Sequence, residues 1–378
     1  MIYLDSAATT LQKPEAVRRA MARAAGTMSS PGRGSYPASH LAEETAYRCR
    51  SEAAELFDVP SPEQVVFTFN ATHGLNIAIK TLVRPGSRVV ISGYEHNAVT
   101  RPLHGISNVE ILVADAPLFH PEKTLSGFAE ALALGADVAI CSHVSNVFGC
   151  VQPVEQIARL CRSHGVPLIV DASQSAGVLP VELKQWDAAF VAMPGHKGLY
   201  GPQGTGLLLC NHQAISLLEG GTGSASLQQE MPDFLPDQLE AGTHNMPGIA
   251  GLLEGLRFVR RTGLYTIAGH EKNMAAYAAR RLEKLPGVNV FADKEFQNQT
   301  GVLSFTVNGR DCEEIGEALA QNGIAVRSGL QCAPLAHRTA GTLETGTVRV
   351  SPSAFTTKGQ VDHFAVVLER MIRENVGF

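Results

Sequence analysis

Residues 193–206 of the chain read Met193-Pro194-Gly195-His196-Lys197-Gly198-Leu199-Tyr200-Gly201-Pro202-Gln203-Gly204-Thr205-Gly206. They place one lysine, preceded by a histidine, in a small and glycine-rich loop. Upstream, residues 166–174 read Val166-Pro167-Leu168-Ile169-Val170-Asp171-Ala172-Ser173-Gln174. The apolar run in this second segment is typical of a buried strand, and Asp171 stands at its end.

Lys197 and Asp171 together indicate a cofactor site. Taken singly, Lys197 is more simply a surface lysine and Asp171 a strand-end cap. A lysine amine that condenses with an aldehyde and an aspartate that pairs with a pyridinium nitrogen are, however, the two protein groups that a pyridoxal phosphate (PLP) enzyme requires. The pair, with His196 beside the lysine, therefore predicts pyridoxal 5'-phosphate as the cofactor.

Short apolar runs around these two segments predict the strands of one sheet. They lie at residues 65–67, 89–91, 109–113, 138–141, 168–170, 189–191 and 206–209. Helical patterns separate most of them, for example at 122–133 and 153–164. Strand–helix alternation of this kind predicts an α/β fold with a mostly parallel sheet covered on both faces. Helices over 13–25 and 40–57, joined by a turn-rich loop, precede the sheet.

The last third of the chain predicts a smaller α+β unit. After an irregular segment at 211–247, a long helix is expected from about Gly248 towards Glu283, with an interruption near Gly263. Strands at 302–307, 324–326 and 348–350 and helices at 311–321 and 357–374 follow. We place the boundary near 245–260, which gives a large domain over 16–250 and a small domain over 251–378.

Composition and charge restrict the class of protein. Of the 378 residues, 44% are hydrophobic and 18% are charged, which suits a large packed core. The net charge of -5, with no long basic run, argues against nucleic acid as a partner. The chain opens on Ile2-Tyr3-Leu4 without a signal-peptide pattern and contains no membrane-length apolar run, so we expect a cytoplasmic protein without a membrane partner.

The cysteines predict reduced thiols. Seven of them are scattered along the chain without a CxxC pair, at positions 49, 141, 150, 161, 210, 312 and 332. This pattern argues against a disulfide framework and against a metal site.

From Tyr3-Leu4-Asp5-Ser6-Ala7-Ala8-Thr9-Thr10 to Gly346-Thr347-Val348-Arg349-Val350-Ser351, the chain resembles the fold-type I, class V aminotransferases, and within them the cysteine desulfurases. The intermediate matches are Asn70-Ala71-Thr72, Glu95-His96-Asn97-Ala98, Ser145-Asn146-Val147-Phe148-Gly149, Glu240-Ala241-Gly242-Thr243 and Val326-Arg327-Ser328-Gly329-Leu330-Gln331-Cys332. The resemblance implies a fold-type I PLP transferase with a seven-stranded sheet in its large domain. It also implies a homodimer and an N-terminal segment, residues 1–15, that packs on the small domain.

The same resemblance implies roles for the cofactor-binding residues. Thr72, His73 and His196 would hold the PLP phosphate, and Thr243 would reach it from the partner subunit. Asp171 would pair with the pyridinium nitrogen, Gln174 would donate to the phenolic oxygen, and His96 would stack on the ring and handle protons. The chain departs from the family pattern at Pro194, where a hydroxyl residue is usual, and at the additional Gly198. Gly221, Thr222 and Ser224 are candidates to complete the phosphate site.

For the reaction, the resemblance implies that Lys197 removes the Cα proton of L-cysteine. Asn146 and Arg349 would bind the substrate carboxylate, for which the planar guanidinium fork is suited. Cys332 would attack the substrate sulfur, which yields L-alanine and a Cys332 persulfide for a sulfur-acceptor protein, as in sulfur metabolism and iron–sulfur cluster assembly. Leu330-Gln331 stands before Cys332 in place of the family's histidine-rich stretch.

Five other functions stay open at this point. Selenocysteine lyase, cysteine β-lyase and aminotransferase reactions use the same scaffold, and Cys332 favours desulfuration over β-elimination without excluding selenocysteine as the substrate. A non-catalytic PLP-binding or sulfur-carrying protein is disfavoured by Lys197, Asp171 and His96. A nicotinamide oxidoreductase is disfavoured because no GxGxxG follows the first strand.

Overall fold

The computed structural model of the protein describes residues 1–32 and 34–374. A seven-stranded sheet forms its centre, and the predicted mostly parallel sheet is confirmed. The strand order is β2-β8-β7-β6-β5-β3-β4, and only β8 runs antiparallel to its neighbours. These strands are β2 (Val65–Thr68), β3 (Arg88–Ser92), β4 (Glu110–Ala114), β5 (Val138–Ser142), β6 (Leu168–Asp171), β7 (Phe190–Pro194) and β8 (Gly206–Cys210).

Helices cover both faces of this sheet because its central strands are apolar on both sides. Val90 packs in one buried cluster, whereas its neighbours Val89 and Ile91 pack in another, as the alternation of side chains along a strand requires. The helices are α1 (Glu15–Thr27), α2 (Pro37–Leu56), α3 (Ala71–Leu82), α4 (Asn97–His104), α5 (Pro121–Ala133), α6 (Val154–His164), α7 (Leu183–Trp186) and α8 (Met246–Thr262).

The C-terminal part forms a second core around two small sheets. One is antiparallel, with the order β12-β10-β9, and in the other the N-terminal β1 pairs in parallel with β11. The elements are β1 (Ile2–Tyr3), α9 (Leu264–Leu282), β9 (Val288–Phe291), β10 (Leu303–Val307), α10 (Cys312–Gln321), β11 (Ile324–Ala325), α11 (Pro334–Thr339), β12 (Val348–Val350) and α12 (Lys358–Glu374). The domain boundaries drawn from the sequence stay predictions.

Several element boundaries differ from the predicted ones. Helix α2 begins at Pro37, three residues early, since proline suits the first helical turn. The interruption predicted near Gly263 is present: two helices meet at this residue, whose φ of 88° favours glycine. Helix α4 was missed because it is short and contains Pro102, and the ring of His96 caps it by accepting from Ala98 N.

None of the helices in the described ranges is long and apolar enough to cross a lipid bilayer.

Tyr200 joins the lysine loop to the C-terminal part of the chain. Its fully buried hydroxyl donates to Glu271 Oε1 at 3.0 Å and accepts from Ala354 N at 2.9 Å. Burial raises the pKa of Glu271 to about 8, so this carboxyl is neutral at pH 7 and adds no buried charge. The ring lies edge-on to Phe258 and Phe355. The loop that carries Lys197 is therefore anchored to α9 and to the segment after β12.

We expect Tyr200→Phe to lower the free energy of unfolding by roughly 1–3 kcal/mol, because it leaves Ala354 N and the Glu271 carboxyl without their buried partner. Urea unfolding followed by circular dichroism measures this change. Tyr265→Phe is the matched control, since Tyr265 is 78% exposed and should lose almost nothing. Equal effects in the two variants would contradict the anchoring role.

Candidate active site

The predicted site residues meet where three parallel strands end. Asp171 is the last residue of β6, Ser142 the last of β5 and Pro194 the last of β7, so their side chains reach the same edge of the sheet. A cleft with about 520 Å³ of free space opens there. Its lining includes Thr72, His96, Asn146, Asp171, Gln174, Pro194, His196 and Lys197.

Lys197 is held in an environment that favours a neutral amine. Burial is the largest effect and lowers its pKa to about 8, with Arg349 acting in the same direction. The negative charges of Asp171 and Asp5 oppose this shift. Lys197 is therefore partly deprotonated near neutral pH, as an amine that acts as nucleophile or base must be.

Two glycines allow the lysine loop to lie against the turn after β6. A Cβ on Gly198 would come within 2.4 Å of Ala176 O, and one on Gly177 within 2.1 Å of Gly198 O. The additional residue Gly198 is accommodated by this close backbone contact. No side chain fits at either position without a shift of the backbone.

The peptide carbonyl between His196 and Lys197 receives four donors from the N-terminal segment. They are Thr10 N at 3.0 Å, the hydroxyls of Thr9 and Thr10 at 3.2 and 3.0 Å, and Lys13 Nζ at 3.0 Å. Burial lowers the pKa of Lys13 to about 8. The segment thereby holds the backbone directly before Lys197.

His96 lies in the cleft with one ring nitrogen already used. Its Nδ1 accepts from Ala98 N at 3.0 Å, which puts the proton of the neutral ring on Nε2. Burial is the largest effect that lowers its pKa, and Asp171 acts against it. The preceding residue, Glu95, is fully buried and accepts from Ser92 and Ser142, and its pKa is raised to about 7 by burial.

Helix α3 points its N-terminus at the cleft through Thr72, where free N–H groups suit a phosphate. His73 is placed differently from the expectation. Its backbone N–H donates to Asn70 Oδ1 at 2.9 Å, and its ring stacks on Phe69 and lines a neighbouring cleft. Thr243 lines that same neighbouring cleft and is exposed. The phosphate roles of His73 and Thr243 stay predictions.

Arg349 and Asn146 lie together, and both keep unused polar atoms. Arg349 Nη1 donates to Asn146 O at 2.8 Å, and Nη2 donates to Asp5 Oδ1 at 2.8 Å. Within the described residues, Arg349 Nε and Asn146 Oδ1 are buried without a hydrogen-bond partner. Burial lowers the pKa of Arg349, and Asp5 opposes that shift. The remaining sequence-predicted residue, Gln174, donates to Ala7 O at 3.0 Å.

Cys332 is the exposed cysteine among seven free ones, and the other six are buried. Its carbonyl accepts from Asn97 N at 2.8 Å, and Asn146 Nδ2 donates to Gln331 O at 2.8 Å, so the loop is fixed beside the cleft. The side chain of Gln331 is buried between His337 and Thr347. Sequence reasoning treated Leu330-Gln331 only as a departure from the family pattern.

The sequence did not identify Asp5, Lys13, Glu95 and Gln331 as site residues. Glu95 directly precedes the predicted His96, and this was the available signal, whereas Asp5 meets Arg349 only in the folded chain, 344 positions away. Lys13 and Gln331 carried no such signal, because their contacts depend on long-range folding.

The residues present fit PLP. Asp171 is buried at a strand end, with Oδ1 accepting from Ser173 N at 2.8 Å, so a carboxylate is available to a pyridinium nitrogen. Lys197 offers a buried amine, and His196 Nδ1 is a buried polar atom with no partner among the described residues. Burial lowers the pKa of His196 to about 4, so its ring is neutral.

We expect borohydride trapping of an aldehyde on Lys197 in the cofactor-free protein to rise with pH and to level off above about pH 8. The neutral amine forms as pH passes the lowered pKa, whereas an unperturbed lysine needs about pH 10.4. In Asp171→Asn the rise should move to lower pH, because the charge that raises the pKa of Lys197 is gone. Peptide mapping measures the trapping, with the exposed Lys284 as the internal comparison. A rise of Lys197 trapping only near pH 10 would contradict the assignment.

Comparisons with known proteins agree with this geometry. The family model described as aminotransferase class-V matches residues 2–364. A probable cysteine desulfurase of Mycolicibacterium paratuberculosis is 33% identical over 392 residues; the match covers all of this chain and 56% of that protein. A cysteine desulfurase of Escherichia coli is 32% identical over 392 residues, with 99% of this chain and 94% of that protein covered.

Solved structures show the same relationship. The apo structure of a cysteine desulfurase from Thermococcus onnurineus NA1 superposes with a TM-score of 0.90 at 28% identity, over 99% of this chain and 95% of that one. The chain therefore belongs to the class-V aminotransferase family, and within it to the cysteine desulfurases.

Proposed function

We propose that the protein is a PLP-dependent cysteine desulfurase that converts L-cysteine to L-alanine and leaves the sulfur on Cys332. The observation that carries the proposal is the convergence of Lys197, Asp171 and Arg349 with the loop of the exposed Cys332. This reaction requires three groups of the protein: one that binds the substrate carboxylate, an amine that accepts a proton and an accessible thiol.

When bound, PLP would supply the ring that withdraws electrons from the substrate Cα. Lys197 would hold the cofactor, and its amine, with a pKa of about 8, would take and return the Cα proton. Asp171 would keep the ring nitrogen protonated. Arg349, with Asn146, would orient the substrate carboxylate, and the Cys332 thiolate would attack the substrate sulfur.

The remaining cleft residues would position the cofactor. His96 would lie over its ring and offer the Nε2 proton, and Gln174 would turn towards the phenolic oxygen. Thr72 and His196 would contact the phosphate, with His73 held at the same helix end. Pro194 offers neither a hydroxyl nor an N–H to the phosphate, so a group from a second subunit would complete the site. Thr222 and Ser224, the candidates from the sequence, line a separate cleft of their own chain.

We also propose that the protein is a homodimer. Thr243 lies outside the cleft of its own chain, in line with a phosphate contact across the interface. A cytoplasmic location and a sulfur-acceptor protein that serves iron–sulfur cluster assembly are further parts of the proposal. The exposed position of Cys332 supports transfer to such an acceptor.

We expect Cys332→Ala to lower alanine formation from L-cysteine by roughly a hundredfold or more, because the nucleophile is lost while binding groups remain. The yellow colour of bound PLP should be retained. Brief exposure of the wild type to L-cysteine should add one sulfur atom to the peptide of Cys332, as measured by mass spectrometry. Cys312→Ala is the control, since Cys312 is buried. A wild-type rate in Cys332→Ala would instead favour a lyase.

We expect a heterodimer of Lys197→Ala and Thr243→Ala chains to be more active than either variant homodimer. If Thr243 serves the partner's phosphate, one of the two sites in the heterodimer has both wild-type residues, and the other lacks both. Differently tagged chains allow the heterodimer to be purified and its alanine formation measured. No gain over the Thr243→Ala homodimer would place the Thr243 contact within its own subunit.

A further inference from the structure

Arg349 already has a carboxylate partner inside the chain. Its side chain is 3% exposed and that of Asp5 is 14% exposed, and they form an ion pair at 2.8 Å through Nη2 and Oδ1. The other terminal nitrogen of the guanidinium, Nη1, donates to Asn146 O. Asp5 thus contacts Arg349, the residue that would bind the substrate carboxylate in the proposed function.

We propose that Asp5 is an internal carboxylate that occupies Arg349 in the resting enzyme and is displaced by the substrate carboxylate, so that Asp5 sets the affinity of the site for its substrate. The proposal rests on the proposed function in taking Arg349 as the carboxylate-binding residue. Asp5 is a positioning residue here, since it acts through Arg349.

Electrostatics favours exchange over joint binding. A buried arginine without a counter-ion is costly, which explains why the free enzyme keeps Asp5 on it. A substrate carboxylate placed beside an ionised Asp5 would put two like charges close together in a poorly solvated site. Displacement of the Asp5 side chain keeps one negative charge on Arg349 at every stage.

The backbone around Asp5 is fixed, so the exchange needs only a rotation of the side chain. On one side, Leu4 N donates to Ala325 O at 2.9 Å. On the other, Ser6 N donates to Ser351 O at 3.0 Å and Ala7 N to Ser351 Oγ at 2.9 Å. The partial exposure of Asp5 gives its carboxylate a way towards water. Arg327, which is exposed, is close enough to lower the pKa of both Tyr3 and Arg349.

Asp5 also acts on the reactive lysine. Its negative charge is among those that raise the pKa of Lys197 against the effect of burial. A substrate carboxylate that takes the place of Asp5 on Arg349 supplies a similar charge. Asp5 therefore keeps the charge balance of the cleft in the substrate-free enzyme.

The test compares Asp5→Asn with wild type in the PLP-loaded protein. The probe is 3-mercaptopropionate, which has the thiol and carboxylate of cysteine but no amine to react with the cofactor. We expect the variant to bind the probe about tenfold more tightly, because the internal competitor is gone while the isosteric amide fits the same space. Ligand-dependent melting temperature measures the affinity. Unchanged or weaker binding would overturn the proposal.

Three controls make the outcome specific. Asp187→Asn breaks an exposed ion pair with Arg162 and should bind the probe like wild type. 2-Mercaptoethanol, which lacks the carboxylate, should show no gain in Asp5→Asn. Asp5→Ala should tighten probe binding as Asp5→Asn does, and it replaces that variant if Asp5→Asn does not fold.

Failure of the proposed function would give a different result. If wild type forms no alanine from L-cysteine but Asp5→Asn still tightens probe binding, the desulfurase assignment falls and the exchange at Arg349 stands. If Arg349→Met binds the probe as wild type does, the carboxylate site lies elsewhere and the Asp5 proposal is overturned.

Discussion

The burial of the Lys197 amine is the constraint on which the rest of the site depends. A lysine in water keeps its proton at neutral pH, and removal from water is the effect that changes this. The amine is enclosed because the sheet edge, the N-terminal segment and the C-terminal part of the chain meet around it. Each of these parts also contributes a charge, so the enclosure sets both the position of the amine and its pKa.

Enclosure of a cationic group requires compensation, and the chain distributes it over distant segments. Asp171 comes from the end of β6 and Asp5 from the segment after β1, while Arg349 in β12 adds a positive charge. The N-terminal segment connects Arg349 with the lysine loop. Its Asp5 pairs with Arg349, and its Thr10 and Lys13 hold the His196 carbonyl. Arg349 and Lys197 are thereby fixed relative to each other.

The sequence could predict what depends on local pattern. The strands β5, β6 and β7 are short apolar runs, so their existence and the position of Asp171 at a strand end followed from the sequence pattern. The start of α8 at Met246 lies within two residues of the predicted start near Gly248, and Asn245 caps the helix by accepting from Gly248 N. The four donors on the His196 carbonyl and the Asp5–Arg349 pair could not be predicted, because they join residues more than 180 positions apart. Helix α4 was missed because its cap is a histidine ring, which is not a common capping group.

The loop of Cys332 shows how an exposed thiol can still be held in place. Gln331 and Cys332 are consecutive non-glycine residues with positive φ, 42° and 57°, a conformation that costs of the order of 1–3 kcal/mol for each. Two hydrogen bonds of the buried Gln331 side chain offset that cost. Its Oε1 accepts from His337 Nε2 at 2.9 Å, and its Nε2 donates to Thr347 O at 2.9 Å. Burial lowers the pKa of His337 to about 4, so the ring is neutral and donates from Nε2 while Nδ1 accepts from Thr342. With this backbone conformation the Cys332 side chain is exposed, while the side chain of Gln331 is buried. A flexible loop would also expose the thiol, but it would not hold the Cys332 loop in one position against Asn146 and Asn97.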